Sequence, residues 1–514
     1  MKKIKLYYIA AVLIQAVILC SCNGNADIPI EDNTNTDKTD IDDTGDPIKR
    51  SDVSMWKEIN EANPISSNVF CADPTAVEYK GRLYVYGTND HQQYFNAEKN
   101  TYEKIKSLVC FSTDDMVNWI YHGEINVGKV APWITNSWAP SICSRVESDG
   151  LTHFYLYFSN NGMGTGVITS TSPTGPWSDP LGHALVSTNT PGLKDCPNPF
   201  DPGVCIDENG VGWLSFGAGR ASGGTAALPG SARIVQLGDD MISFASDFVK
   251  IDAPYLMEAS ELNYVNGTYI YTFNNTWDSR DDWPIEGVVP SSACSMSYMT
   301  TKTPLISSSW EYKGHYFKNP GEMGLTWGNN HTHFEKYKGQ WYLFYHTQTL
   351  QEKAQVTGGF RSMCVDLLDF DEENVVLKNT TGTRKGVSAI KNLNPFEKNT
   401  GTTIYTSADL WYDNPAKPEE IASKALNEGS WLMVKNVDFS ADENELNLLA
   451  EVKGSGKIKV CLDRVESSPV AEIEVNDKAY TKVTAALQEK VKGVHDVYFV
   501  FSAESICLRN WKFY

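Results

Sequence analysis

The stretch "HFEKYKGQWYLFYH", from His333 to His346, combines an apolar strand, a tight turn at Gly339 and a second strand rich in Tyr, Trp and Phe. The same pattern occurs four more times along the chain, with turn glycines at Gly81, Gly150, Gly210 and Gly267. Neighbouring turn glycines lie 57 to 72 residues apart, a spacing that suits four-stranded units in a radial array. The sequence therefore predicts an all-β propeller.

Three copies of the pattern carry a carboxylate shortly before their first strand: Asp73, Asp201 and Glu258. Both aspartates precede a proline, which blocks a helix where the strand begins. Glu258 stands among apolar residues, where burial raises a carboxyl pKa and favours a proton donor near neutral pH, although Glu261 competes with it. Taken singly, each acid is as well explained by a turn or a surface charge. Because equivalent strand ends of a propeller meet at one mouth of its channel, we expect the three acids to share a pocket.

A shared pocket of acids suits glycoside hydrolysis. One carboxylic acid protonates the departing oxygen, and one carboxylate activates water or attacks the sugar. A third acid close by holds the pKa of the donor high by like-charge repulsion.

Longer motifs extend this prediction to a family. They occur in the order "ADP" at Ala72, "SWAPSI" at Ser137, "TSPTGPW" at Thr171, "FDPGV" at Phe200, "EASELNYVNGTYIY" at Glu258 and "GNNHTHFEKYKGQWYLFYH" at Gly328. Over roughly residues 60 to 380 the chain resembles glycoside hydrolase family 43. The resemblance implies a five-bladed β-propeller, assigned to residues 56–390, and an inverting mechanism.

The resemblance also implies roles for the acids. Asp73 matches the general base, Asp201 the residue that orients the acid and adjusts its pKa, and Glu258 the general acid. Glu258 is preferred to Glu261 because it lies eight residues before the turn at Asn266, as the acid of the family does.

Three further residues match the family less specifically. His331 matches a channel histidine that borders a bound cation, usually Ca²⁺, and is alternatively a hydrogen-bonded structural residue. Trp138 fits a sugar-stacking platform or a core aromatic. Arg361 fits the substrate-pocket arginine or a buried ion-pair partner.

The C-terminal region, residues 404–514, resembles carbohydrate-binding module family 6, a β-sandwich of the jelly-roll type. The motifs are "WLMVKNVDFS" from Trp431, "GKIKVCLDR" from Gly456 and "GVHDVYFVFS" from Gly493. Leu508 stands where many members have a sugar-binding Asn, and Tyr480 is the one candidate for the cleft aromatics. The sequence leaves open whether this module binds sugar or mainly packs against the propeller.

The N-terminal residues 1–22 predict an export signal, with a basic start and a short apolar run. The run ends in Leu19-Cys20-Ser21-Cys22, which resembles a bacterial lipobox with Cys22 as the lipidated residue. A plain cleaved signal and an uncleaved anchor are the alternatives. Residues 23–55 are polar and predict a disordered tether. We expect an exported lipoprotein on the outer membrane or cell surface, or facing the periplasm, with its acyl chains as its only contact with a membrane.

Composition limits the partners. The formal net charge of −20 over 514 residues argues against nucleic acid, which is bound by clustered Lys and Arg. We expect a monomer without an organic cofactor. Nine cysteines remain after Cys20 and Cys22, an odd number without zinc-site spacing. Most are expected to be buried core residues, although Cys196 and Cys205 could form a disulfide.

Two classes of function follow from these patterns. The first is a glycosidase acting on plant cell-wall polysaccharide, with α-L-arabinofuranosyl linkages of arabinan or arabinoxylan favoured over β-xylosidase or β-galactosidase activity. The second is a glycan-binding surface lipoprotein without catalysis. Retention of all three acids favours the first class.

Overall fold

The structure is a computed structural model that describes residues 55–96, 99–219, 231–277, 285–286, 290–413, 417–440 and 446–514. The predicted signal, the lipidation site Cys22 and the tether up to residue 54 lie outside the described residues. Within the described ranges, no helix is long and apolar enough to cross a membrane.

Five antiparallel sheets form the blades of a propeller. Blade 1 contains β1 (Ala72–Tyr79), β2 (Arg82–Thr88), β3 (Leu108–Thr113) and β4 (Trp119–Ile125). Blade 2 contains β5 (Trp138–Val146), β6 (Thr152–Ser159), β7 (Gly164–Ser170) and β8 (Val186–Ser187). Blade 3 contains β9 (Gly203–Ile206), β10 (Gly212–Phe216), β11 (Ala232–Gln236) and β12 (Val249–Ile251). Blade 4 contains β13 (Leu256–Val265), β14 (Thr268–Asn275), β15 (Met296–Thr301) and β16 (Glu311–Phe317). Blade 5 contains β17 (Thr332–Tyr337), β18 (Gln340–Thr347) and β19 (Ser362–Leu367). The predicted five-bladed propeller is confirmed.

Helices in the described ranges are short. The α-helices are α1 (Asp90–Tyr94), α2 (Val127–Val130) and α3 (Thr349–Lys353). The 3₁₀ turns are Asn161–Met163, Ser307–Ser309, Pro320–Met323 and Pro418–Glu420.

The glycine turns explain why the repeated pattern forms hairpins. In blades 1, 4 and 5 the first two strands are joined by two residues, Lys80-Gly81, Asn266-Gly267 and Lys338-Gly339. All six residues have positive φ values, between 48° and 82°. This is the type I′ geometry that fits the twist of a hairpin and favours glycine at the second position.

The ring is closed by chain segments from outside the repeats. Blade 5 has three strands, and the segment before blade 1 lies beside its outer strand. There, Ile65 N–H donates to Met363 O at 2.8 Å and Val365 N–H donates to Asn63 Oδ1 at 2.8 Å. The start of the propeller is therefore fastened to its last blade.

The C-terminal region forms a nine-stranded, nearly closed, sandwich-like sheet, as predicted. A small hairpin precedes it, formed by β20 (Phe370–Asp371) and β21 (Val376–Leu377). Strand β23 (Thr403–Ile404), within the C-terminal region, pairs with β4 of blade 1. The nine strands of the sheet are β22 (Asn399–Thr400), β24 (Thr406–Ala408), β25 (Leu410–Asp413), β26 (Ala422–Ala425), β27 (Trp431–Asp438), β28 (Asn447–Leu462), β29 (Ala471–Ala486), β30 (Val494–Phe501) and β31 (Cys507–Phe513).

One hydrophobic core runs through both parts. Leu83 and Val85 of blade 1 belong to the same buried cluster as Leu432 and Phe499 of the C-terminal sheet. The nine cysteines among the described residues are all buried and free, so Cys196 and Cys205 are not bridged.

Candidate active site

The three predicted acids stand where the first strands of their blades begin. Asp73 and Asp201 both have φ of +51°, and Ala259, next to Glu258, has φ of +61°. Strand pairing is also irregular after Ala72 and on both sides of Glu258. Positive φ in residues other than glycine is uncommon, and such distortions redirect side chains at functional sites. A residue with positive φ therefore redirects the backbone at equivalent points of three blades.

Four side chains surround the carboxylate of Asp73. Thr88 Oγ1 donates to Oδ2 at 2.7 Å, and Arg361 Nη1 donates to Oδ1 at 2.9 Å. His331 Nδ1 lies 3.5 Å and His346 Nδ1 lies 3.3 Å from Oδ1. Burial raises the pKa of Asp73, but the charge of Arg361, followed by the hydrogen bond from His331, outweighs it and holds the pKa well below its usual value. Asp73 is therefore ionised at neutral pH, as a general base requires.

His346 orients the backbone of the same residue. Its Nδ1 accepts the N–H of Asp73 at 3.1 Å, so Nε2 carries the proton and faces Asn329 O at 2.9 Å. Burial lowers the pKa of His346, in agreement with a neutral ring. His346 thus links Asp73 to the loop before β17.

Arg361 is a buried ion-pair partner of two carboxylates. Besides Asp73 it binds Asp90, with Nε 2.9 Å from Oδ2 and Nη2 2.8 Å from Oδ1. The ring of Tyr102 lies 4.9 Å from the guanidinium carbon. The arginine is 4% exposed, so the structure places it against the base as its counter-charge.

Asp201 connects the acid strand to blade 2. Its Oδ1 accepts from Ser159 Oγ at 3.1 Å, and its Oδ2 accepts from Ala259 N–H at 2.7 Å. Ser260 donates its hydroxyl to the carbonyl of Asp201. Burial raises the pKa of Asp201, and the charge of Asp73 adds to the shift. Asp201 therefore fixes the two residues that follow Glu258.

Glu258 has the properties of a proton donor. It is partly exposed, so a substrate can reach it. Burial, followed by the charges of Asp201 and Asp73, raises its pKa to about 7. The same pocket thus contains one carboxylate kept ionised and one carboxylic acid that still holds its proton in about half of the molecules at pH 7, the pair that acid–base catalysis needs.

Glu261, the competing acid, is occupied elsewhere. It is 1% exposed and accepts from Ser141 Oγ at 2.8 Å and from Leu262 N–H at 3.1 Å. His333 Nδ1 lies 3.3 Å from it. Burial lowers the pKa of His333, but Glu261 and Glu335 raise it to about 9. Glu261 is therefore part of a buried ion pair without access to substrate.

Trp138 is a buried residue that contacts Tyr102, the neighbour of Arg361. The indole is 8% exposed, and its Nε1 donates to Tyr102 O at 3.1 Å. Tyr102, which is partly exposed, packs its ring at 6.1 Å from Trp138. The structure therefore places Trp138 in the core under Tyr102.

Several residues of the site were not predicted from the sequence. They are Thr88, Ser159, His346 and Asn274, the strand partner of Glu258, and all stand at or next to the end of the second strand of their blade. These strand ends meet the starts of the first strands, where the acids are. The signal was present as a polar residue closing the aromatic strand in four of the five blades, in "YVYGT", "LYFS", "YTFNN" and "LFYHT". Asp90 is the first residue of α1 and Tyr102 lies in the loop before β3, and neither carries such a signal.

Few His, Cys, Asp or Glu side chains of the described residues are placed to bind a cation at His331. His331 is buried, and the described residues contain no group of three or more His, Cys, Asp or Glu side chains arranged to hold a metal. Burial lowers its pKa, but Asp73 and Asp201 outweigh this and raise it, which favours the imidazolium form that cannot ligate. Ca²⁺ takes six to eight oxygen ligands, so a cation bordering His331 would take most of its ligands from water and backbone carbonyls.

Comparisons with known proteins agree with this geometry. A model of glycosyl hydrolases family 43 matches residues 61–376, and a model of carbohydrate binding module (family 6) matches residues 396–514. An arabinoxylan arabinofuranohydrolase of Bacillus subtilis (strain 168) is 33% identical over 88% of this chain and 91% of its own length. The protein of that name from Paenibacillus polymyxa is 32% identical, over 88% and 74%. The crystal structure of a Bacillus subtilis family 43 arabinoxylan arabinofuranohydrolase in complex with cellotetraose has a TM-score of 0.81 at 31% identity, covering 90% of this chain and 99% of that chain.

Proposed function

This chain belongs to glycosyl hydrolases family 43 and is an inverting glycoside hydrolase, and we propose that it releases α-L-arabinofuranosyl groups from arabinoxylan or arabinan. Two relatives that align with both the propeller and the C-terminal sheet bear the name arabinoxylan arabinofuranohydrolase. The observation that carries the catalytic part of the proposal is the opposite shift of two carboxyl pKa values in one pocket, with Asp73 lowered and Glu258 raised.

Asp73 is the proposed general base. Its ionised carboxylate takes a proton from a water molecule as the water oxygen attacks the anomeric carbon. Arg361 and Thr88 fix the two carboxylate oxygens, so the base is oriented before substrate arrives.

Glu258 is the proposed general acid. It gives its proton to the glycosidic oxygen while the bond between that oxygen and the anomeric carbon breaks. Attack by water on the opposite face inverts the configuration at the anomeric carbon. Asp201 acts through Glu258, because its hydrogen bond to Ala259 N–H orients the acid strand and its charge raises the pKa of the acid.

The test uses Glu258→Gln on two substrates. On an arabinoxylan oligosaccharide, whose leaving group needs protonation, we expect turnover to fall by roughly 10²–10⁴-fold. On nitrophenyl α-L-arabinofuranoside the loss should be smaller, because nitrophenolate leaves without a proton. Asp73→Asn should lose activity on both. Full activity of Glu258→Gln on the oligosaccharide would contradict the assignment. So would NMR evidence that the arabinofuranose first released by the wild type keeps the anomeric configuration that it had in the substrate.

We further propose that the protein acts as a monomeric lipoprotein anchored at Cys22, with the folded part in water at the cell surface or facing the periplasm. The support is the sequence of the export signal, since Cys22 lies outside the described residues. Labelled palmitate incorporated into the wild type and also into Cys22→Ser would contradict the anchor. A calcium ion near His331 stays a prediction, on which no step of this mechanism depends, and equilibrium dialysis against Ca²⁺ would test it.

A further inference from the structure

One aromatic side chain at the mouth of the propeller is unused by the proposed mechanism. Trp327 lies in the loop between the 3₁₀ turn Pro320–Met323 and β17, and its side chain is 51% exposed. Among the described residues it is the one exposed tryptophan. Its ring lies 6.3 Å from that of Trp277 at an angle of 48°. Trp277 follows β14 by two residues, so it stands at the same mouth.

The indole of Trp327 rests on bare backbone. A Cβ added at Gly321 would lie 2.2 Å from Cδ2 of the indole, far inside van der Waals contact. The absence of a side chain at Gly321 therefore allows one face of the ring to lie against the chain. The part of the indole that does not lie against Gly321 remains open to solvent.

The loop that carries Trp327 is fastened to the catalytic strands. Asn330 O accepts from Asn274 Nδ2 at 2.9 Å, and Asn274 pairs with Glu258 across β14 and β13. Asn329 O faces His346 Nε2 at 2.9 Å, and the same histidine binds the backbone of Asp73. The exposed indole is thus held in a fixed place beside the pocket of the acids.

We propose that Trp327, with Trp277 beside it, is a stacking platform for a pyranose unit of the polysaccharide main chain. This inference rests on the proposed function. When the acids hold a furanosyl side group at the bottom of the mouth, the main chain that bears the group must cross the rim. The C–H face of a pyranose is apolar and matches the open indole surface, whereas the ionised and hydrogen-bonding groups of the acid pocket do not.

The test compares two substrates that differ in the main chain. For each variant of the full-length protein, kcat/KM is measured on arabinoxylan and on nitrophenyl α-L-arabinofuranoside, and the ratio of the two values is taken. In Trp327→Ala we expect this ratio to fall roughly tenfold, or about 1.4 kcal/mol. Gly321→Ala, which keeps the indole but displaces it, should lower the ratio in the same direction, and Trp327→Phe should recover part of it. Ile306→Ala, an exposed apolar residue of blade 4 at the opposite ends of its strands, is the matched control with an unchanged ratio.

A second readout separates this inference from the proposed function. Linear xylo-oligosaccharides without arabinose are titrated calorimetrically into Glu258→Gln with and without Trp327→Ala. Weaker binding in the double variant supports the platform even if the wild type releases no arabinose, an outcome that would refute the proposed function alone. Equal binding in the two proteins, or a ratio of kcat/KM that Trp327→Ala leaves unchanged, would overturn the platform even in an active arabinofuranosidase.

Discussion

Asp201→Asn is predicted to shift the alkaline limb of the pH–rate profile to lower pH. The pKa of Glu258 is raised from 4.5 to about 7, which corresponds to roughly 3.4 kcal/mol of preference for the protonated acid. Burial is the largest cause and persists in the variant, while the charge of Asp201 is removed. At an effective dielectric constant of about 20, like charges roughly 10 Å apart interact by about 1.7 kcal/mol, so we expect the pKa of Glu258 to fall by about one unit.

The sign of the effect follows from the role of the acid. Only protonated Glu258 is active, so a lower pKa removes the active form earlier as the pH rises. At pH 8 roughly a tenth of Glu258 is protonated in the wild type and roughly a hundredth in Asp201→Asn, whereas at pH 5 most of it is protonated in both. The wild-type to variant ratio of kcat/KM should therefore grow by nearly tenfold between pH 5 and pH 8.

The assay is the pH dependence of kcat/KM on an arabinoxylan oligosaccharide with an unactivated leaving group. Asp195→Asn makes the same charge change six residues earlier, at an exposed carboxylate that pairs with Lys250, and is the control. An alkaline limb that stays in place in Asp201→Asn, or moves to higher pH, would refute the coupling between Asp201 and Glu258.

Two further predictions concern buried cations. Arg361→Met leaves Asp73 and Asp90 without their shared partner, so we expect a loss of roughly 3–5 kcal/mol in the free energy of unfolding, measured by denaturant titration. Because the charge of Arg361 lowers the pKa of Asp73, the acidic limb of kcat/KM should also move to higher pH. An unmoved acidic limb in the pH–rate profile would contradict the role of Arg361. Burial lowers the pKa of Lys57, whose ammonium lies 4.6 Å from the Tyr405 ring, to about 7. The unfolded chain holds this proton up to a pH of about 10.5, so the lysine destabilises the fold most below pH 7 and progressively less up to pH 10.5. Lys57→Met should therefore be more stable at pH 6, by up to roughly 5 kcal/mol, and the gain should shrink at pH 10; an equal difference at both pH values would contradict the shift.

The sequence predicted the parts of the site that repeat and missed those that depend on loops. Hairpins with a glycine at a fixed turn position are local, so the five blades could be predicted from the turns alone. The equivalence of Asp73, Asp201 and Glu258 followed from the same repeat. The partners Asp90 and Tyr102 reach Arg361 only because segments far apart in the chain pack together, and no local pattern encodes that contact.

The choice between Glu258 and Glu261 shows the same limit. In a regular strand, residues three apart point to opposite faces, but pairing in β13 is irregular on both sides of Glu258, so alternation cannot assign the faces. The hydrogen bonds of Glu261 to blade 2 and its pairing with a histidine of blade 5 distinguish the two acids. Arg361 likewise fitted either a pocket residue or an ion-pair partner until Asp90 was located beside it.

The C-terminal sheet contributes to the site through the residues that precede the base. Asn68 Nδ2 donates to Leu410 O at 2.9 Å, and Tyr412 OH donates to Asn68 Oδ1 at 3.0 Å. His91, which accepts the N–H of Phe70, stacks on Trp411 with ring centroids 4.4 Å apart.

The expected sugar-stacking residue of this sheet is itself covered. The guanidinium of Arg509 lies 3.4 Å from the centre of the Tyr480 ring, and Tyr480 OH donates to Asp413 Oδ2 at 2.6 Å. One face of the aromatic ring is thus closed to a ligand, while the sheet holds the segment that leads into Asp73. These contacts favour a sheet that buttresses the base, and since its core is continuous with blade 1, the catalytic acids are properly assayed only in the chain that contains both parts.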